Sequence, residues 1–199
     1  MTPTGPLDRL LDEVRACRHC AGRLPLGPRP VLRARSTARL LIVGQAPGLR
    51  VHESGIPWHD ASGDRLRTWL AVGRKQFYDD RHIAIVPIGF CYPGSHPNGG
   101  DAPPAKECAP LWHPRLRAEL GQIELTLLVG SYAQAFYLHG RRRRTLTETV
   151  NAWNDYLPDH FPLPHPSWRN THWLRRNPWF EETVLPELRA RVHALLPPA

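Results

Sequence analysis

The sequence predicts an α/β fold, a three-layer αβα sandwich around a central, mainly parallel sheet of about four strands. Three observations predict it. Short β-type runs at residues 38–43, 83–86 and 123–129 each stop at a glycine or proline, as buried parallel strands do where they meet a turn. The stretches between them have apolar residues at helical spacing. The 199 residues show no internal repeat, so a single domain spanning 1–199 is expected.

Residues 7–16 open with an amphipathic helical pattern that leads directly into Cys17 and Cys20. The first strand, 38–43, ends at Gly44, and Pro47, Gly48, Gly55 and Pro57 mark the loop that follows. Leu66, Trp69, Leu70 and Val72 give a helix over 63–73, and 83–86 forms the second strand, so strand, helix and strand make a right-handed crossover. Residues 91–104 are rich in Gly and Pro and read as loop. A helix over 111–120, a third strand over 123–129 ending at Gly130, and a helix over 132–139 come next. Four arginines at 141–144 break the pattern. A short apolar segment at 161–163 halts at Pro164, His165, Pro166 and Ser167, and a helix over 180–196 closes the chain. Ligands of such sheets bind beyond the carboxyl ends of the strands. The loops beginning at Gly44, near Pro87 and Cys91, after Gly130 and at His165 are therefore expected to converge.

A hydrophobic content of 41% supports a core and excludes wholesale disorder. The apolar runs fall far short of the roughly 20 residues that a membrane span needs. Asp8, Arg9, Asp12, Glu13 and Arg15 stand where a signal peptide would be apolar, so a cytoplasmic protein is expected. Basic residues exceed acidic ones by 26 to 18, a net charge of +8, which favours a polyanionic partner, nucleic acid first. All the basic residues but Lys75 and Lys106 are Arg, whose planar fork matches phosphate oxygens.

The chemistry-bearing residues fall into three groups. Cys17-x2-Cys20, Cys91 and Cys108 suit a metal better than disulfides in a chain of this type, either tetrahedral zinc or an iron-sulfur cluster; the alternative is four unrelated free thiols. Gly44-Gln45-Ala46-Pro47-Gly48, just past a buried strand, lets backbone approach a ligand, and Trp58 behind Pro57 offers a flat face to a base. His165-Pro166-Ser167-Trp168-Arg169-Asn170 gathers imidazole, hydroxyl, aromatic, guanidinium and amide groups at a strand end, a set suited to gripping a phosphate backbone.

In this order, the three groups resemble the uracil-DNA glycosylase superfamily, in particular its iron-sulfur branches, families 4 and 5, and within them a distinct bacterial subgroup. The resemblance runs from Cys17 to about Phe180. Gly44 to Gly48 matches the first-loop form G-x-x-P-G, Gly55-Ile56-Pro57-Trp58 is similar to the G-R-P-F that follows it, and His165-Pro166-Ser167 matches the second-loop H-P-S. The two-plus-two cysteine pattern implies a [4Fe-4S] cluster over zinc, held by Cys17, Cys20, Cys91 and Cys108. Asp60-Ala61-Ser62-Gly63 is similar to the D-x-S-G of family 5, whose aspartate is important for activity. The chain departs from the pattern at Gln45, where family 4 usually has Glu, and at Ala46, where other branches place Asp or Asn. It also has Pro87-Ile88-Gly89-Phe90 where the family tends to supply an Asn that reads uracil.

The resemblance implies a DNA repair glycosylase acting as a monomer on DNA that carries a deaminated base, uracil first. Asp60 is expected to stabilise the cationic sugar or orient water, and His165 to donate to the departing base. Trp58 is expected to stack on the extruded base while Gly44, Gln45, Ala46 and Gly48 hold its edge. Ser167, Arg169 and Asn170 are candidates for phosphate contacts, and Trp168, Trp173 or Leu174 for filling the gap left in the duplex. His52, Glu53, His59 and Asp64 are further candidates for the role of Asp60, although Asp64, near a helix start, suits the helix amides better. The arginines at 141–144 read as a solvated loop, with a DNA-facing arm as the second reading. Rival functions are a glycosylase for hypoxanthine or xanthine, and a damaged-DNA binding or trapping protein.

Overall fold

Strands β1 (Leu40–Val43), β2 (Ile83–Ile85), β3 (Leu125–Val129) and β4 (His160–Leu163) pair in parallel in the order β2-β1-β3-β4. The computed structural model describes residues 5–96 and 99–197. Alternate residues of the strands feed two cores. Leu41, Val43, Ala84 and Leu128 face one; Leu40, Ile42, Ile83, Ile85, Leu127 and Phe161 face the other. Burial on both faces is why the strands read as apolar runs without polar alternation.

The first core is covered by α1 (Pro6–Arg15), whose Leu7, Leu10, Leu11 and Val14 form one buried stripe, each side chain contributing roughly 1.5–3 kcal/mol by leaving water. After β1 come α2 (Leu49–Ser54), α3 (Ala61–Leu70) and α4 (Arg74–Phe77), and β2 is followed by α5 (Cys108–Glu119). Helix α5 packs against α1, and α3 covers the second core. Helix α6 (Ser131–Leu138) follows β3, α7 (Leu146–Asn151) precedes β4, α8 (Thr171–Arg176) follows it, and α9 (Leu185–Leu195) packs beside α3. The three-layer sandwich is thus as expected. Among the described residues, no helix is long and apolar enough to cross a membrane.

Some elements differ from the expectation. The first loop contains α2, a helix too short to show a period, closed by Gly55 in the left-handed conformation at φ 70°. Helix α7 fills the stretch beyond the arginines, and its capping box, Thr145 with Glu148, was a sequence signal in plain view. The closing helix starts as a π-turn over Phe180–Val184 before α9, which carries a proline in its first turn. Arg141 donates to the Asp155 carbonyl at 3.1 Å and lies over the Tyr156 ring. Arg143 pairs with Asp155 at 2.6 Å and Arg144 with Glu148 at 3.5 Å. All four arginines are exposed.

The strand order places the functional crevice. From β1 the chain moves to the β2 edge, and from β3 it moves the opposite way to β4. The connections leaving β1 and β3 therefore diverge and open a gap at the carboxyl ends of these neighbours.

Candidate active site

A cavity of about 670 Å³ lies in that gap, lined by Gly44 to Gly48, Trp58, Asp60, Asp101, His165 and the run Ser167 to Asn170 among others. Two motifs that are far apart in the chain therefore meet in one place.

Trp58 is held there by unusual backbone. Its φ of 57° is left-handed, a costly conformation for a tryptophan that calls for support from its surroundings. Its carbonyl accepts hydrogen bonds from Arg67 Nη1 and from the Tyr78 hydroxyl, both at 3.3 Å, and Arg67 is itself buried and paired with Asp64 at 2.5 Å. The same carbonyl crosses the first turn of α3 so closely that a Cβ on Gly63 would lie 1.8 Å from it. The indole lies against Gly44, where a Cβ would approach Cζ2 to 2.7 Å, and its centroid is 5.6 Å from the His165 ring at an interplanar angle of 33°. Glycine at 44 and 63 is thus required by close approach rather than by φ.

Asp60 is the N-cap of α3: Oδ1 accepts the Gly63 N–H at 2.8 Å, leaving the carboxylate at the cavity wall. The helix-terminal role expected of Asp64 thus belongs to Asp60, whereas Asp64 is exposed and tied to Arg67. His52 is buried beside Tyr92, Glu53 is exposed on α2, and neither these nor His59 line the cavity. Burial holds the His165 imidazole below its usual range, opposed by the charge of Asp60, so the ring is neutral near pH 7.

The second loop is braced from two sides. Asn170 Nδ2 donates to the His165 carbonyl at 2.7 Å, and Arg65 of α3 donates to the Ser167 carbonyl at 3.0 Å and to the Thr171 hydroxyl at 3.4 Å. Ser167 Oγ accepts the Arg169 N–H at 3.3 Å, capping the short turn Trp168–Asn170. Ser167 and Asn170, expected at phosphates, line the cavity but carry these internal bonds. Trp168 is 72% exposed with the Arg169 guanidinium 5.4 Å over its ring, whereas Trp173 donates its indole N–H to Thr147 and packs on Trp179 and Phe180, and Leu174 packs against the second core. The first loop is pinned in turn: Gly44 and Gln45 carbonyls accept the N–H groups of Ile88 and Gly89, both at 2.9 Å.

The family model of the Uracil DNA glycosylase superfamily matches residues 33–189, which take in all four strands and both loops. The chain belongs to the uracil DNA glycosylase superfamily. Members of that superfamily are DNA glycosylases, hydrolases that act on DNA. Within this superfamily chain, the matched region begins beyond Cys17 and Cys20 and contains Cys91 and Cys108.

Cys17 follows α1, Cys108 opens α5, and with Cys20 and Cys91 they are free, partly buried thiols that line one small cavity of about 30 Å³ beside Phe90 and Trp112. Burial pushes the Cys91 thiol up to about 11 and the Cys108 thiol up to about 12, with further increments from the other cysteines. No group of three or more His, Cys, Asp or Glu among the described residues could hold a metal ion. This glycosylase-superfamily chain also supplies a residue that sequence reasoning missed. Asp101, in the Gly/Pro-rich segment, lines the candidate active-site cavity, and no motif flags it because it reaches the cavity only through the folding of that segment.

Proposed function

We propose that this chain is a DNA glycosylase that hydrolyses the N-glycosidic bond of a deaminated base, uracil first, and that it acts as a monomer. The observation that carries the reading is the convergence of Trp58, Asp60 and His165 in one cavity at the carboxyl ends of the strands, in a chain of this superfamily. Breaking the bond puts positive charge on the sugar and negative charge on the base. The Asp60 carboxylate stabilises the sugar cation and accepts the proton of the attacking water. Neutral His165 donates a hydrogen bond to the base oxygen, needing no proton of its own to be lost. Trp58, fixed by the Arg67 and Tyr78 bonds to its carbonyl, stacks on the extruded base, while Gly44 to Gly48 border its edge. Trp168 fills the gap in the duplex: of the three candidates, it alone has an exposed ring free of core packing. Arg169 beside it meets phosphate.

We propose that the four thiols hold a [4Fe-4S] cluster rather than zinc, as the family resemblance implies. They line one cavity, and four thiolates are the ligand set of such a cluster. Bound there, such a cluster supplies cross-links between the segment after α1, the start of α5 and the segment after β2. Anaerobically purified protein is expected to be brown with about four irons per chain; colourless protein with one zinc overturns this assignment.

The function is tested by single-turnover release from oligonucleotides carrying uracil, hypoxanthine, xanthine or a normal base. Release of uracil is expected. Release of hypoxanthine or xanthine instead would follow from Gln45 and from the absence of Asn in Pro87-Ile88-Gly89-Phe90. No release from any of them, with a persistent complex on uracil DNA, replaces the enzyme by a binding protein.

A further inference from the structure

Among the described residues, the large apolar side chains left exposed are Leu26, Leu49, Leu111, Tyr132 and Trp168. A single exposed leucine is ordinary on a protein surface. Leu49 and Trp168 are not ordinary in their position. Each comes directly after a cavity-lining residue of one of the two loops, Gly48 or Ser167, and each is followed by an exposed arginine, Arg50 or Arg169. The other three have no arginine beside them.

The two pairs stand on opposite rims of the cavity. Asp101 Oδ2 is 3.2 Å from where a Cβ on Gly48 would lie, and a Cβ on the neighbouring Gly100 would lie 3.3 Å from Cζ of Arg169. Residues 100–101 thus separate the first loop from the second. The first rim is firmly held. Val51 and His52 of α2 are buried, Val51 in the cavity wall, which leaves Leu49, 44% exposed, and Arg50 outside. At the far end of α2, Arg29 donates to the Glu53 carbonyl at 2.9 Å and lies beside Gly55. Among the described residues, Arg50 enters no ion pair, not even with Glu53 of the same helix, so its guanidinium is open to phosphate.

We propose that Leu49 and Arg50 form the second arm of a clamp on duplex DNA, and that the substrate is a double strand kinked between the two loops; this rests on the glycosylase reading above. Arg50 takes a phosphate on the side of the lesion opposite to that of Arg169, and Leu49 wedges against the base step beside the gap that Trp168 fills. Apolar wedges partly unstack a step and kink the duplex, and phosphate contacts fix the register in which they do so. A paired base has to be unstacked before it leaves the duplex, whereas a base in a single strand has far less to lose. Leu49 therefore matters for a paired lesion more than for an unpaired one.

The test uses Leu49→Ala and Arg50→Ala beside wild type, with thermal melts to show that these surface changes leave the fold intact. Single-turnover uracil release is measured from a duplex and from a single-stranded oligonucleotide, duplex binding as a function of salt, and duplex bending by energy transfer between end labels. Leu49→Ala is expected to lose about tenfold or more on the duplex, clearly less on the single strand, and to bend the duplex less. Arg50→Ala is expected to weaken duplex binding and to lower the slope of log affinity against log salt by about one. Duplex release by Leu49→Ala at the wild-type rate, equal losses on the two substrates, or an unchanged salt slope in Arg50→Ala overturns the clamp and leaves the glycosylase reading standing. If wild type releases no base from either substrate, the glycosylase reading falls, and bending together with the salt slope still decides whether Leu49 and Arg50 hold a duplex.

Discussion

Asp60→Asn is expected to lower single-turnover base release by about 10²–10⁴-fold while leaving the melting temperature close to that of wild type. The two effects separate because Asp60 has two jobs. As N-cap of α3 it accepts the Gly63 N–H, and asparagine caps a helix as well as aspartate does. As the charge proposed to face the sugar cation it has no neutral substitute. Asp60→Ala removes both and is expected to lose about 1 kcal/mol of stability besides. His165→Ala is expected to lose release on a similar scale, since it removes the proposed donor to the base and the ring that backs the Trp58 indole. Single-turnover kinetics beside thermal melts check all three. Full release by Asp60→Asn would remove the carboxylate from the mechanism.

The second large effect is on stability in acid. His113, on α5, is buried between Phe90 and the α6 aromatics, and burial pulls its imidazole down to about 4. Its Nε2 lies 2.9 Å from the Pro87 carbonyl, which can only accept, so Nε2 carries the hydrogen and Nδ1 accepts from the Tyr137 hydroxyl at 2.8 Å. Protonation at Nδ1 would turn that acceptor into a buried cation. The unfolded chain takes up this proton near pH 6.5, and the folded chain only near 4. Between these values the unfolded state binds more protons, so stability is complete above pH 6.5 and is lost as the pH falls toward 4. From pH 7 to 4.5 the loss from this residue is about 2.5 kcal/mol. His160 and His165 are lowered by burial too and act in the same direction. Urea unfolding at the two pH values measures the difference. His113→Gln is expected to flatten the dependence, and an unchanged slope in that variant would show that His113 is not its source.

How far the sequence was legible follows from where each signal resides. The strands were plain because burial on both faces leaves only apolar residues, and their ends were plain because Gly44 and Gly130 follow them directly. Helices α2 and α8 escaped notice, being six residues each and too short for a period to show. The two loops were legible as motifs, whereas the division of labour inside them was not. Asp60 and Asp64 sit four residues apart and look alike in sequence; one faces the cavity from the helix cap and the other is drawn to Arg67 by an ion pair. Trp168, Trp173 and Leu174 looked equivalent until the core took up the last two.

By itself, then, the sequence determined the layers, the two loops and the four thiols, because these depend on local composition and on spacing along the chain. Only the tertiary structure decided which carboxylates face the cavity, which aromatic ring is left exposed, and that Asp101 joins Asp60 from a segment without a motif. Those outcomes depend on how distant segments share space and hydrogen-bond partners, and neither quantity is carried by any one stretch of chain.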